Sequence, residues 1–352
     1  DIRVLTISDE WGFGWHEEII DGVAVRRCRW NFKIGGHKFS LVFIWQLISL
    51  AARETVLHVH DPFPLATLAL LAARTKNLLI TYHSDIVRQG FLKKPVDYLR
   101  LKIMRRAKHI TVTSRRLLQH SDLLSKLSKE NVSVVHLYLD NMEGYKRPSN
   151  LTAKLDIHNL VRRDPRPFLL MVGRMNYYKG LDVVLDALRH NASLSISNRC
   201  RLIIAGANTD AVAKTSSDRL REFQDDVLRI DRAISEDEKL YLLQNCAALL
   251  FPSNKPTEAF GIVQMEAMAA GAPVINFDLP SGVPQVSIDQ VTGFTFAVND
   301  AVSIARVIAN KDGEMLRLQE LKANLAGHLN TNFARDVIET NLKAIYVSVA
   351  TI

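Results

Sequence analysis

Two carboxylates eight positions apart give this sequence its most specific chemical signal. They lie in Glu258-Ala-Phe-Gly-Ile-Val-Gln-Met-Glu266-Ala-Met-Ala-Ala-Gly271. Gly261 permits close backbone approach where a helix would start, and the unpaired N–H groups and dipole of such a start favour a phosphate. Gly271 is placed to end that helix. Eight helical residues rise about 12 Å, comparable with a nucleotide sugar, so Glu258 and Glu266 could touch opposite ends of one ligand. The structural alternative is a Glu258 favoured by the dipole and a solvated Glu266. The surrounding residues, as well as the spacing, favour a site.

A second stretch, Val172-Gly-Arg-Met-Asn-Tyr-Tyr-Lys-Gly180, follows a strand-like run. Gly173 and Gly180 bracket a loop in which Arg174 offers a two-pronged phosphate contact and Lys179 a point charge. A third, Thr81-Tyr-His-Ser-Asp85, puts His83 at the carboxyl end of a strand, where ligands of such sheets bind. A lone histidine is more often a satisfied, half-buried residue. His58 and His60, before Asp61-Pro62, share that placement. No histidine pair has a metal-binding context, so no bound metal is expected. The turns Gly206-Ala-Asn208 and Leu279-Pro-Ser-Gly-Val-Pro-Gln285 read as turns, the second able to line a sugar site through its backbone.

The elements that must position these residues alternate. Strands are expected at Arg3–Ile7, Val23–Arg26, Val56–His60, Leu78–Tyr82, His109–Thr113 and Val132–His136. A second series runs Phe168–Val172, Arg201–Ala205, Val227–Ile230, Ala248–Phe251, Pro273–Phe277 and Gly293–Ala297. Helical periods fall between them at Leu41–Ala52, Pro64–Ala73, Pro95–Arg106, Val183–Ala187, Glu236–Asn245 and Gly261–Ala270. Buried-looking strands alternating with helices predict an α/β fold of doubly wound parallel sheets. The pattern breaks over 141–167, which is polar and proline-punctuated. Two Rossmann-like domains follow, 1–162 and 163–352. A last helix around Asn332–Ile345 offers Phe333, Val337, Ile338, Leu342 and Ile345 as an apolar face.

Composition fits two globular cores: 352 residues, 47% hydrophobic and 23% charged, which excludes a disordered chain. Cys28, Cys200 and Cys246 are an odd, scattered set, pointing to neither a disulfide framework nor zinc but to a reducing compartment. No apolar run reaches the roughly 18 residues of a spanning helix. The net charge of +8 is uneven: residues 1–150 hold 23 Lys and Arg against 14 Asp and Glu. Within 91–116, nine basic residues stand against Asp97 alone, interleaved with Phe91, Leu92, Val96, Leu99, Leu101, Ile103 and Met104. A solvated helix face explains the charge. A basic, partly apolar helix also suits an anionic membrane surface, whereas no nucleic-acid-binding pattern accompanies it.

Taken together, these stretches resemble glycosyltransferase family 4, in particular its branch of mannosyltransferases of bacterial surface-polysaccharide synthesis. The resemblance rests on residues 81–89, 172–183 and 258–271, and on Gly282-Val-Pro before Val291-Thr-Gly-Phe. It implies the GT-B fold, two Rossmann-like domains facing a cleft with the donor held mainly by the second, and a crossing of the last helix back to the first. It implies transfer with retention, without a metal or a cofactor other than the nucleotide sugar, a GDP-sugar being favoured. Arg174 and Lys179 would hold the diphosphate, with Gly173, Phe260, Gly261 and Ile262 completing the donor site. Glu266 would meet the ribose, and Glu258 and His83 the transferred sugar and reacting centre. The implied acceptor is a saccharide carried on a lipid, met at the cytoplasmic face of a membrane through residues 91–116. The family's first strand and glycine-rich loop would lie ahead of Arg3, and its Pro-x-Gly is replaced here by His136-Leu-Tyr-Leu-Asp140. The competing readings are a nucleotide-sugar epimerase of similar fold and a non-catalytic sugar-nucleotide-binding protein.

Overall fold

The computed structural model describes residues 2–34, 37–53, 56–73, 75–86, 93–147, 156–192, 194, 199–207, 219–310 and 313–351. Val87, Arg88, Gln89, Phe91, Leu92, Asn208 and residues 148–155, all used above, lie outside them. The chain divides into two compact units. One comprises Asp1–Thr113, Ser121–Val135 and Thr340–Ile352, the other Ser114–His120 and His136–Glu339.

The first unit opens with β1 (Arg3–Trp11), β2 (Trp15–Ile20) and β3 (Val23–Trp30), ordered β1-β3-β2 with only β2 antiparallel. The hairpin of β4 (Phe32–Ile34) and β5 (His37–Phe39) follows. Then come α1 (Leu41–Ala51), β6 (Leu57–Asp61), α2 (Pro64–Ala72), β7 (Leu78–Tyr82), α3 (Lys93–Met104) and β8 (His109–Val112). After α4 (Arg115–His120), which belongs to the second unit, β9 (Val132–Val134) completes a parallel sheet ordered β6-β7-β8-β9. Local signals set these boundaries. Ser40 caps α1 by accepting from the Phe43 N–H, and Pro64 sits in the first turn of α2, where its missing N–H costs nothing. All five residues of β7 are buried, as a central parallel strand requires.

Part of the basic stretch is consumed inside its own unit. Arg100 is only 2% exposed, bonded to Asp61 and to Asp97, with its guanidinium 5.2 Å from the Tyr82 ring centroid. Ile103 and Met104 are core residues. Lys93 pairs with Asp97, and Lys108 donates to the backbone of Val349 and Thr351. Lys94, Lys102, Arg105 and Arg115 remain at the surface.

The second unit begins with α5 (Asp156–Arg162), β10 (Phe168–Val172), α6 (Leu181–His190), β11 (Arg201–Ala205) and β12 (Val227–Ile230). It continues through α7 (Glu236–Asn245), β13 (Ala248–Phe251), α8 (Ile262–Ala269), β14 (Val274–Phe277), α9 (Val283–Val286) and β15 (Gly293–Phe296). Its six strands are parallel in the order β12-β11-β10-β13-β14-β15, the doubly wound arrangement whose order reverses beside β10. Alternation along β10 serves both faces: Phe168, Leu170 and Val172 enter one apolar cluster, Leu169 and Met171 the other.

The helices α10 (Ala301–Ile308), α11 (Glu314–Asn332) and α12 (Arg335–Ala350) close the chain. The expected helix near Asn332–Ile345 is thus displaced and interrupted. Phe333 is the C-cap of α11, 2% exposed, while Val337 on α12 is 55% exposed. The apolar period misled because the buried Phe333 belongs to the break, not to the face.

Candidate active site

A cavity of about 300 Å³ opens in the second unit, beyond the carboxyl end of β10, where the strand order reverses. Gly173, Lys179, Glu258, Gly261, Ile262 and Glu266 line it, with Val172, Val263, Phe251 and Lys239. The loop after β10 brings Lys179 over the Phe251 ring, 4.7 Å from its centroid. Gly180 ends that loop at φ 70°; a Cβ there would lie 2.0 Å from the Pro252 carbonyl oxygen.

Glu258 stands on the loop before α8, not on the helix, so the 12 Å helical separation does not describe this pair. Its Oε2 accepts from Lys179 Nζ and, at 3.1 Å, from Ser253 Oγ. Gly261 is the N-cap of α8 at φ 78° and supplies no side-chain bond, leaving that terminus to a ligand or water. A Cβ on Gly261 would strike Phe251 at 2.7 Å, so glycine is required by packing as well as by backbone sign. Gly271, φ 89°, follows the C-cap Ala270.

Lys239 of α7 donates to Glu266 at 3.1 Å. Burial, then the nearby Glu266 carboxylate, raises the Tyr145 hydroxyl pKa, so that hydroxyl stays protonated beside it. Burial opposes the charge on Lys239, but Glu236 and Glu266 outweigh it and its pKa is raised. Lys239 and Tyr145 were missed in the sequence because each is remote from the glycine-punctuated stretches. A buried amide pair steadies the region: Asn276 Nδ2 donates to Gln264 Oε1 at 2.9 Å, and Gln264 Nε2 donates to the Phe260 carbonyl at 2.9 Å.

Three expected residues stand elsewhere. Arg174 is exposed on the turn after Gly173 and does not line the cavity. Phe260 is 3% exposed and packs edge-on against Phe333. Its place in the core is explained by the turn at Gly282, where a Cβ would meet the ring at 2.7 Å. His83 belongs to the first unit, beyond β7. Its Nε2 is 2.8 Å from His60 Nδ1, the rings stacked at 5.1 Å. His58 lies against the other side of His60, 4.6 Å between centroids, and bonds Tyr346 and Thr81. Burial, then the neighbouring histidine, pushes His83 down to about 4; burial, then His60 and His83, does the same to His58. These imidazoles are neutral at pH 7. Among the described residues no group of three or more His, Cys, Asp or Glu is placed to hold a metal ion.

A parallel sheet with a strand-order switch, a lysine and two held carboxylates beside a helix start without a side-chain cap have chemistry suited to a phosphorylated ligand. Residues 154–324 match the family described as glycosyl transferases group 1, and residues 1–140 match glycosyltransferase family 4. D-rhamnosyltransferase WbpZ of Pseudomonas aeruginosa is 31% identical over 299 residues, 83% of this chain and 73% of its own. O-antigen chain mannosyltransferase C of Escherichia coli is 26% identical over 281 residues, 79% of this chain and 71% of its own. The chain therefore belongs to glycosyltransferase family 4, and it is a glycosyltransferase. Two solved structures share its fold. Sucrose-phosphate synthase of Thermosynechococcus elongatus has a TM-score of 0.76 at 18% identity over 99% of this chain and 88% of its own. The α,α-trehalose 6-phosphate synthase of Burkholderia multivorans has 0.77 at 13%, over 99% and 91%. With the two parallel sheets, these likenesses give the GT-B fold.

Proposed function

We propose that the enzyme transfers a sugar of manno configuration, with retention, from a GDP-linked donor to a lipid-linked saccharide during surface-polysaccharide assembly. The observation that carries the reading is the cavity itself, with Lys179, the α8 start, Glu258 and Glu266 on one wall system. A departing nucleoside diphosphate develops negative charge, and a fixed ammonium with helix-start N–H groups stabilises it without reorganisation. That electrostatic arrangement supports metal-independent transfer, in which the leaving phosphate itself takes the acceptor proton. Glu258 pairs with Lys179, so donor binding would exchange this carboxylate for a phosphate and free Glu258 to meet the sugar hydroxyls. Glu266, held by Lys239 beside the Tyr145 hydroxyl, is set to accept from ribose hydroxyls. Arg174, exposed beside the cavity, would reach the diphosphate by swinging in. The role of His83 remains the one implied by family resemblance. The manno preference is supported by two relatives named for rhamnosyl and mannosyl transfer, D-rhamnose being 6-deoxy-D-mannose. Peripheral attachment to an anionic inner membrane surface is supported by the exposed Lys94, Lys102, Arg105 and Arg115. Among the described residues no helix is long and apolar enough to cross a membrane.

A donor panel of GDP-mannose, GDP-D-rhamnose, UDP-glucose and dTDP-glucose with a lipid-diphosphate saccharide acceptor, with and without EDTA, tests this reading. It predicts acceptor-dependent release of GDP unchanged by EDTA. Release only of UDP or dTDP, or loss of turnover in EDTA, would contradict it.

A further inference from the structure

β10 carries a cavity at each end. At its amino end, about 13 Å along the strand from the donor cavity, lies a larger one of about 590 Å³. Phe168, the first residue of β10, and Arg201, the first of β11, line it, with His158 and Arg162 of α5, Arg166 and Tyr241.

Arg201 is anomalous. It is only 5% exposed, and among the described residues no carboxylate lies within ion-pair distance of it, Asp164 acting on it only from farther off. Its Nη2 donates to the Val161 carbonyl and its guanidinium lies 5.5 Å from the Phe168 ring centroid, while its buried Nε has no partner. Buried cations are ordinarily paired, because desolvation is otherwise uncompensated. Burial lowers the Arg201 pKa, the reverse of Arg166, whose bond to Asp164 raises it. His158 Nδ1, on the same wall, is also buried without a hydrogen-bond partner among the described residues. Arg162 is exposed and forms no ion pair among the described residues. The one lining carboxylate, Asp164, is held by Arg166, which also binds Asp226.

We propose that this cavity is a second anion site, which takes the phosphate group of a small phosphorylated molecule through Arg201, Arg162 and His158. A dianionic phosphate would receive Arg201 and Arg162 and relieve the buried charge of Arg201. The remaining wall, of Phe168, Tyr241, Pro165 and Pro167, suits the less polar face of a saccharide-sized body. The site lies at the end of the sheet opposite the donor cavity and does not depend on the donor's identity.

Thermal melting of the full chain against inorganic phosphate and glucose 6-phosphate, at ionic strength matched with chloride, tests it. The expected result is a saturable rise in Tm for both ligands, half-saturation about tenfold weaker in Arg162→Ala, as loss of one charge-assisted contact predicts. Arg201→Met should remove the part of the rise that Lys179→Ala retains; Arg162, being exposed, tests the site even if Arg201→Met fails to fold. Lys179→Ala should retain the rise, because that lysine belongs to the other cavity. The proposal is overturned if neither ligand shifts Tm beyond chloride, or if Lys179→Ala abolishes the shift while Arg162→Ala keeps it. Sedimentation with phosphatidic acid vesicles separates a lipid phosphate from a soluble one. Arg162-dependent vesicle binding without any effect of soluble phosphates would also overturn it.

Discussion

Lys179 and Glu258 neutralise each other as an ion pair, so their single substitutions should diverge. Lys179→Ala should weaken nucleoside-diphosphate binding roughly ten- to a hundredfold, the scale of a charge-assisted contact, and lower turnover further as charge develops. Glu258→Ala should leave GDP binding equal or tighter, since Lys179 is released, while turnover falls. Calorimetry with GDP beside initial rates reads both, and weaker GDP binding in Glu258→Ala would contradict the exchange of partners. Glu266→Ala should chiefly weaken binding, since ribose contacts are unchanged during transfer. The histidine stack makes a separate prediction. His58 titrates near 4 in the fold and about 6.5 when unfolded, so below pH 6.5 the unfolded chain binds the extra proton. Its contribution to stability is complete above about 6.5 and is lost as pH falls towards 4. Tm measured from pH 7.5 to 4 should therefore decline less steeply in His58→Gln than in the parent; equal slopes would contradict it.

The site is carried by strand ends and one helix start, which explains what the sequence could show. β7, β10, β13 and β14 announce themselves as buried apolar runs, and α8 by the glycines at its two ends. β2 was invisible because Trp15–Ile20 carries adjacent Glu17 and Glu18 at its centre and buries no residue fully. Residues on the motif-bearing loops, Lys179, Glu258 and Gly261, were legible because loop chemistry is local. Lys239, Tyr145 and Asn276 were not, because only folding brings α7, the segment before α5 and β14 beside them. The amide network can be tested here. Asn276 donates to Gln264 Oε1 and to the Val283 and Ser287 carbonyls, so Asn276→Leu strands several buried polar groups. Each costs about 1–3 kcal/mol, and urea denaturation should show a loss of at least about 2 kcal/mol. A loss within 0.5 kcal/mol, roughly the range of a surface substitution, would contradict the network's role.

At the scale of the molecule, Thr340–Ile352 counts with the first unit although it is the last stretch of the chain. Tyr346 bonds His58, and Lys108 donates to the Val349 carbonyl at 3.0 Å. Removing residues 340–352 should therefore lower the melting of the first unit, followed by hydrogen exchange of β6 and β7; unchanged protection there would contradict it. The second unit holds every lining residue of the cavity beyond β10, so the proposed donor-diphosphate recognition would be a property of that unit. The most direct test is calorimetry comparing GDP with guanosine on the parent and on Lys179→Ala. The account predicts that Lys179→Ala weakens GDP at least about tenfold and leaves guanosine unchanged. Equal loss for both ligands, or no loss for GDP, would contradict the placement of the diphosphate beside Lys179.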